Sequence, residues 1–140
     1  MPDALYHLEA ARSEEQRDYM ARLEEDGVCV LCEGKGAELR GEHWYVKRND
    51  FPYEGTKEHW LIVPHAHVRS FDELPDAAGA ELWAIKRQLK GDAEATATVE
   101  RSGDMRYNGG SVAHLHIHFV TLDPTPAKTV RFRVSAWGED

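Results

Sequence analysis

The sequence predicts an α+β domain with a largely antiparallel sheet. Residues 59–64 (HWLIVP) form a short, nearly unbroken apolar run that reads as a buried strand, and residues 115–121 alternate as a strand does. Residues 75–90 read as the central helix: Ala78, Leu82, Ile85 and Leu89 share one face. Pro75 suits the helix start and Gly91 the residue after its end. These elements alternate irregularly, joined by segments that hairpins could supply.

The remaining elements follow in chain order. Pro2 and Asp3 favour an early helical turn. Ser13 and Gln16 read as a capping box, Tyr19, Met20 and Leu23 follow at helical spacing, and Gly27 is a stop. Residues 29–36 form a tight glycine-containing connection, and residues 43–47 (HWYVK) a short strand. Residues 48–57 carry the Asn, Asp, Pro and Gly of a loop. Residues 95–101 (ATATVER) are a strand candidate, residues 102–111 a glycine-bearing loop, and residues 129–135 (TVRFRVS) alternate like a final strand. The expected organisation is one domain over 1–140: an N-terminal helical extension (1–27), a core (28–123) and a C-terminal strand and tail (124–140).

At 140 residues the chain can bury a core without disulfide staples. Its 17 Lys and Arg against 25 Asp and Glu give a formal net charge of -8. That balance argues against long nucleic acids as partners but leaves room for a small anion at a locally positive site. No apolar run approaches a membrane span. The stretch MPDALYHLEAARSEEQ lacks the apolar centre of a signal peptide, which points to the cytoplasm. Cys29 and Cys32 stand too close together to staple distant parts of the chain, and in a reducing compartment their spacing points to metal or redox chemistry.

The most informative residues are His114, His116 and His118, at strict period two, with Leu115, Ile117 and Phe119 between them. On a strand the imidazoles share one face and the apolar side chains the other, with about 6–7 Å between successive histidines. Such groups can act as nucleophile, acid, base or ligand near neutral pH. The loop Asn108-Gly109-Gly110-Ser111 leads into the row, and glycines let backbone N–H groups approach an anion closely.

His-x-His-x-His followed by two apolar residues resembles the signature of the histidine triad family of nucleotide-binding proteins. The likeness extends to the apolar strand ending Pro64-His65-Ala66-His67, similar to that family's Pro-x-x-His. It also takes in Gly109-Gly110-Ser111-Val112-Ala113-His114, similar to its Gly-x-Ser-x-x-His. The resemblance implies a HIT-like fold and a hydrolase or nucleotidyltransferase of the nucleoside phosphoramidate or dinucleoside polyphosphate class. It implies that His116 attacks the α-phosphorus and forms a nucleotidyl-histidine intermediate. Ser111 and His118 would hold phosphate oxygens or the leaving group, Gly110 would supply backbone donors, His59 would stand beside the site, and Asn49 would fall near the ribose. The alternative is a non-catalytic nucleotide-binding or regulatory module of the same fold.

The chain departs from better-known branches at Gly110, where many relatives carry Gln, and at His65, where many carry Lys or Arg. By the same resemblance, a structural Zn²⁺ would be held by Cys29, Cys32, His67 and His114; two hydrogen-bonded histidines beside two buried thiols is the competing reading. No organic cofactor is implied. The expected partners are a mononucleotide or dinucleotide substrate and a second copy in a homodimer, with no membrane.

Overall fold

The computed structural model describes residues 4–137, so the turn expected at Pro2 and Asp3 lies outside the described residues. Five strands form one sheet in the order β1-β2-β3-β5-β4, every neighbouring pair antiparallel. They are β1 (Ala37–Arg40), β2 (Trp44–Arg48), β3 (Thr56–Pro64), β4 (Ala97–Glu100) and β5 (Ile117–Leu122). Helix α1 (Glu14–Asp26) precedes the sheet, and α2 (Asp76–Lys90) connects β3 to β4.

Strand alternation sorts the side chains into two layers. Trp44 and Val46 of β2, Ile62 of β3, and Ile117 and Phe119 of β5 join Ala78 and Ile85 of α2 in one buried cluster, with Leu82 and Leu89 packed against it. The predicted stripe of α2 is therefore the face that covers the sheet. The Trp44 indole N–H donates to Ala78 O at 2.8 Å. The Glu81 carboxylate accepts from the backbone N–H groups of Glu42, His43 and Trp44. Gly41 permits that docking, because a Cβ there would meet the Glu81 carboxylate at 2.8 Å. The opposite sheet face carries Tyr45, Leu61 and Val63, which pack with Leu31 from the loop after α1.

Helix α1 starts and stops close to where its sequence signals lie. Ser13 Oγ accepts from Gln16 N at 3.0 Å, and Gly27 closes the helix at φ 68°. Gln16 reaches back one residue further than a capping box requires, accepting from Arg12 N at 2.8 Å. Strand β1 had no periodicity long enough to announce it.

The final strand expected over residues 129–135 does not form: that segment joins no sheet. Its alternation serves a different contact. Phe132 stacks on Tyr53 at 4.3 Å between centroids and meets the His118 ring at 5.1 Å, while Val134 is exposed. The Arg101 guanidinium donates to Arg133 O, and Trp137 N to Arg106 O. Gly109, at φ +80°, lets the tail pass, since a Cβ there would lie 2.8 Å from Ser135 N. The tail thus crosses the histidine end of the sheet as a strap.

Candidate active site and metal centre

The three histidines divide between two sites. Strand β5 begins only at Ile117, so His114 and His116 belong to its approach. His116 and His118 stay together, their ring centroids 5.0 Å apart. They line a pocket with Ser111 and Asn49 that opens to solvent. His114 is fully buried and turns toward the two cysteines.

Hydrogen-bond partners assign the ring protons. His116 Nδ1 lies 2.9 Å from His114 O; a carbonyl only accepts, so Nδ1 carries the proton and Nε2 keeps its lone pair. Tyr53 N donates to His59 Nδ1 at 3.1 Å, so the proton of His59 sits on Nε2, 2.8 Å from His118 Nδ1. That N–H donates to His118, whose own proton is then on Nε2. Asn49 Oδ1 accepts from Phe51 N, leaving Asn49 Nδ2 at 3.2 Å beside His59 Nε2. The pair facing the pocket is therefore an unprotonated nitrogen on His116 and an N–H on His118.

The charges favour neutral rings. Burial lowers the pKa of His118 well below the usual range, aided by His116, His59, Arg101 and Arg12. Burial also lowers His116, with Arg101 contributing. Burial, then Arg12 and His116, brings His59 down to about 4.

His59 makes stability pH-dependent. An unfolded histidine takes a proton near pH 6.5, whereas His59 resists down to about 4, so the stabilisation from burying it neutral is complete above pH 6.5 and lost as pH falls. Lowering the pH from 7.5 to 5 is expected to cost about 2 kcal/mol through this residue. Urea unfolding at both pH values checks it: a His59→Gln variant should lose less stability on acidification than the parent, and equal losses would refute the assignment.

Of the other predicted residues, His59 lies behind His118, and the Gly110 N–H is already donated to Asn108 Oδ1 at 2.9 Å. Sequence reading did not reach Arg12, Tyr53 and Arg101, which line the same pocket. Arg12 arrives from the N-terminal extension, donates to Phe51 O and lies 3.8 Å over the Tyr53 ring. Nothing local in the sequence signals that long-range approach.

The second site gathers Cys29, Cys32, His67 and His114, whose donor atoms all lie within 4.8 Å of one another. His114 Nδ1 is 3.4 Å from each sulfur and 3.2 Å from His67 Nδ1, and Cys32 Sγ is 3.1 Å from His67 Nδ1. Four donors around a tetrahedral zinc stand roughly 3.3–3.8 Å apart, given the usual Zn–N and Zn–S lengths. The donor set fits a metal ion. His114 Nε2 donates to Pro64 O at 2.9 Å, which turns the Nδ1 lone pair toward the cluster. The cysteine loop is braced by phenols. Tyr6 OH donates to Val28 O and accepts from Val30 N, and Tyr45 OH donates to Leu31 O. Burial and Cys29 push the Cys32 thiol up to about 11, so its thiolate needs a cation.

No helix among the described residues is long and apolar enough to cross a membrane. No curated protein matches the sequence. Among solved structures, the chain is similar to a HIT family hydrolase from Legionella pneumophila Philadelphia 1 (20% identity, TM-score 0.53, covering 66% of this chain and 91% of that one). It is similar to a histidine triad nucleotide-binding protein from Candida albicans (17%, TM-score 0.55, 77% and 85%). It is also similar to a Zn-bound histidine triad family protein from Mycobacterium smegmatis (18%, TM-score 0.52, 68% and 73%). These likenesses establish the shared α+β fold. The sequence model of the HIT domain matches residues 39–125, which run from within β1 to just past β5 and include all three histidines, and the chain belongs to that family.

Proposed function

We propose that the protein is a nucleotide-binding hydrolase or nucleotidyltransferase that acts at the α-phosphate through His116. The observation that carries this reading is the pairing of an unprotonated His116 Nε2 with the Nε2–H of His118 at one pocket. His116 attacks the α-phosphorus, a P–N bond forms, and the bond to the leaving group breaks with its electron pair. The leaving group takes up a proton. Water or another acceptor then releases the nucleotide, and splitting one displacement into two is what a nucleophilic imidazole contributes. The His118 N–H and Ser111 are placed to hold phosphate oxygens or the leaving group. Asn49, lining the same pocket, is assigned to the ribose. Gly110 has the weakest case as a phosphate contact, because its N–H is engaged by Asn108.

The metal in the Cys29, Cys32, His67 and His114 cluster is assigned as structural zinc, the ion that suits two thiolates and two imidazoles. It would tie the cysteine loop to the approach of β5. One domain, a homodimer and a cytoplasmic setting, where such thiols stay reduced, complete the reading; sedimentation equilibrium tests the dimer.

The test of function is release of the mononucleotide from adenosine and guanosine 5′-phosphoramidates by the protein and by a His116→Ala variant. Release by the parent alone supports the reading. Nucleotide binding without turnover of either substrate would favour a non-catalytic binding module.

A further inference from the structure

Lys47 is a buried lysine whose position the fold does not explain. It pairs with Leu61 of β3, and Leu61 pairs with His118 of β5, so the three form one row across the sheet. Two strand spacings put the backbones of Lys47 and His118 about 10 Å apart. That span separates the α-phosphate of a nucleotide from the pairing edge of its base. The side chain is 7% exposed and lines the same pocket as His116 and His118. Its partner is Asp50, with Nζ 3.1 Å from Oδ2 and the carboxylate side chain 61% exposed.

As a stabilising device this pair is poor. An ion pair with one exposed partner contributes little, and desolvating an ammonium is costly. An apolar residue beside Leu61 would fill the position at less cost. As a recognition element the pair is well matched to a ligand. An ammonium only donates and a carboxylate only accepts, side by side on one wall. The adjacent carboxylate opposes a phosphate at this end of the pocket. A neutral ring edge with one acceptor beside two donors complements it. Guanine has that edge: O6 would accept from Lys47, while N1–H and the exocyclic amine would both donate to Asp50. Adenine has one acceptor and one amine, and so makes one contact fewer. Tyr19 and Phe51, 5.8 Å apart, line the same pocket and offer aromatic faces to the ring.

We propose that Lys47 and Asp50 read the base of the bound nucleotide and select guanine over adenine. The inference rests on the nucleotide-binding reading above.

Calorimetric titration of the full chain with GMP and with AMP tests it, using the parent, Lys47→Met and Asp50→Asn. GMP is expected to bind the parent roughly tenfold more tightly than AMP, the worth of one more hydrogen bond to a charged group. Both variants are expected to bring that ratio near one through weaker GMP binding. Asp50 is exposed enough for Asp50→Asn to keep the fold if Lys47→Met does not. AMP binding as tightly as GMP to the parent, or a ratio unchanged by Asp50→Asn, overturns the base assignment and leaves the nucleotide site standing. Failure of both nucleotides to bind the folded parent overturns the assignment together with the reading beneath it.

Discussion

Replacing His116 with alanine is expected to cut nucleotide release from a nucleoside 5′-phosphoramidate by at least about 10³-fold, with nucleotide binding largely kept. The size of the effect follows from the role. A positioning group that is lost leaves the same reaction running more slowly, whereas a lost nucleophile removes the covalent route. The His114 carbonyl holds the His116 proton on Nδ1 and so presents Nε2 to the pocket. A His118→Gln variant keeps a side-chain N–H donor and is expected to lose less than His116→Ala. Rapid-quench detection of a nucleotide covalently bound to the parent, and absent from His116→Ala, would separate a nucleophile from a general base. Turnover undiminished in His116→Ala would refute the assignment.

Removing the proposed zinc is expected to have the largest effect on stability. The cluster ties together the cysteine loop after α1, the chain just beyond β3 and the approach to β5, three segments remote in sequence. Losing that cross-link is expected to cost about 3 kcal/mol, the typical worth of one chain cross-link, which lowers the thermal midpoint by roughly 10 °C in a domain of this size. Cys32→Ser should produce the loss outright. A chelator should produce it in the parent and add little in the variant. Elemental analysis should find about one zinc per chain in the parent and little in Cys32→Ser. A midpoint unmoved by chelation in a protein that contains no zinc would reject the assignment.

Much of this was readable from the chain because the informative patterns are local. The α2 stripe, the apolar run over residues 59–64 and the alternation over residues 115–121 predict elements whose burial the sheet then accounts for. The Cys-x-x-Cys spacing and the family resemblance bring together four side chains whose donor atoms do converge. What escaped depends on partners far along the chain. Residues 129–135 alternate as well as a strand does, yet Tyr53 and His118 offer Phe132 an aromatic surface, and hydrogen bonds to Arg101 and Arg106 hold the tail across the site. Arg12 and Arg101 approach the histidines from opposite ends of the sequence. The even spacing expected of the three histidines fails at His114, because the approach to β5 is not yet strand and the ring turns to Pro64 and the cysteines.

The two-layered sheet also sets how the protein responds to mutation. A library covering β2, β3 and β5, scored once for the amount of folded protein and once for turnover per folded molecule, should give two interleaved signals. Substitutions at Val46, Ile62, Ile117 and Phe119 disturb the layer beneath α2 and should register as lost abundance. Substitutions at their immediate neighbours Lys47 and His118 face the pocket and should register as lost turnover among molecules that still accumulate. Adjacent residues at Val46–Lys47 and at Ile117–His118–Phe119 would then belong to different phenotypic classes, whereas Tyr45 and Val63, buried on the pocket side against Leu31, should register with the core.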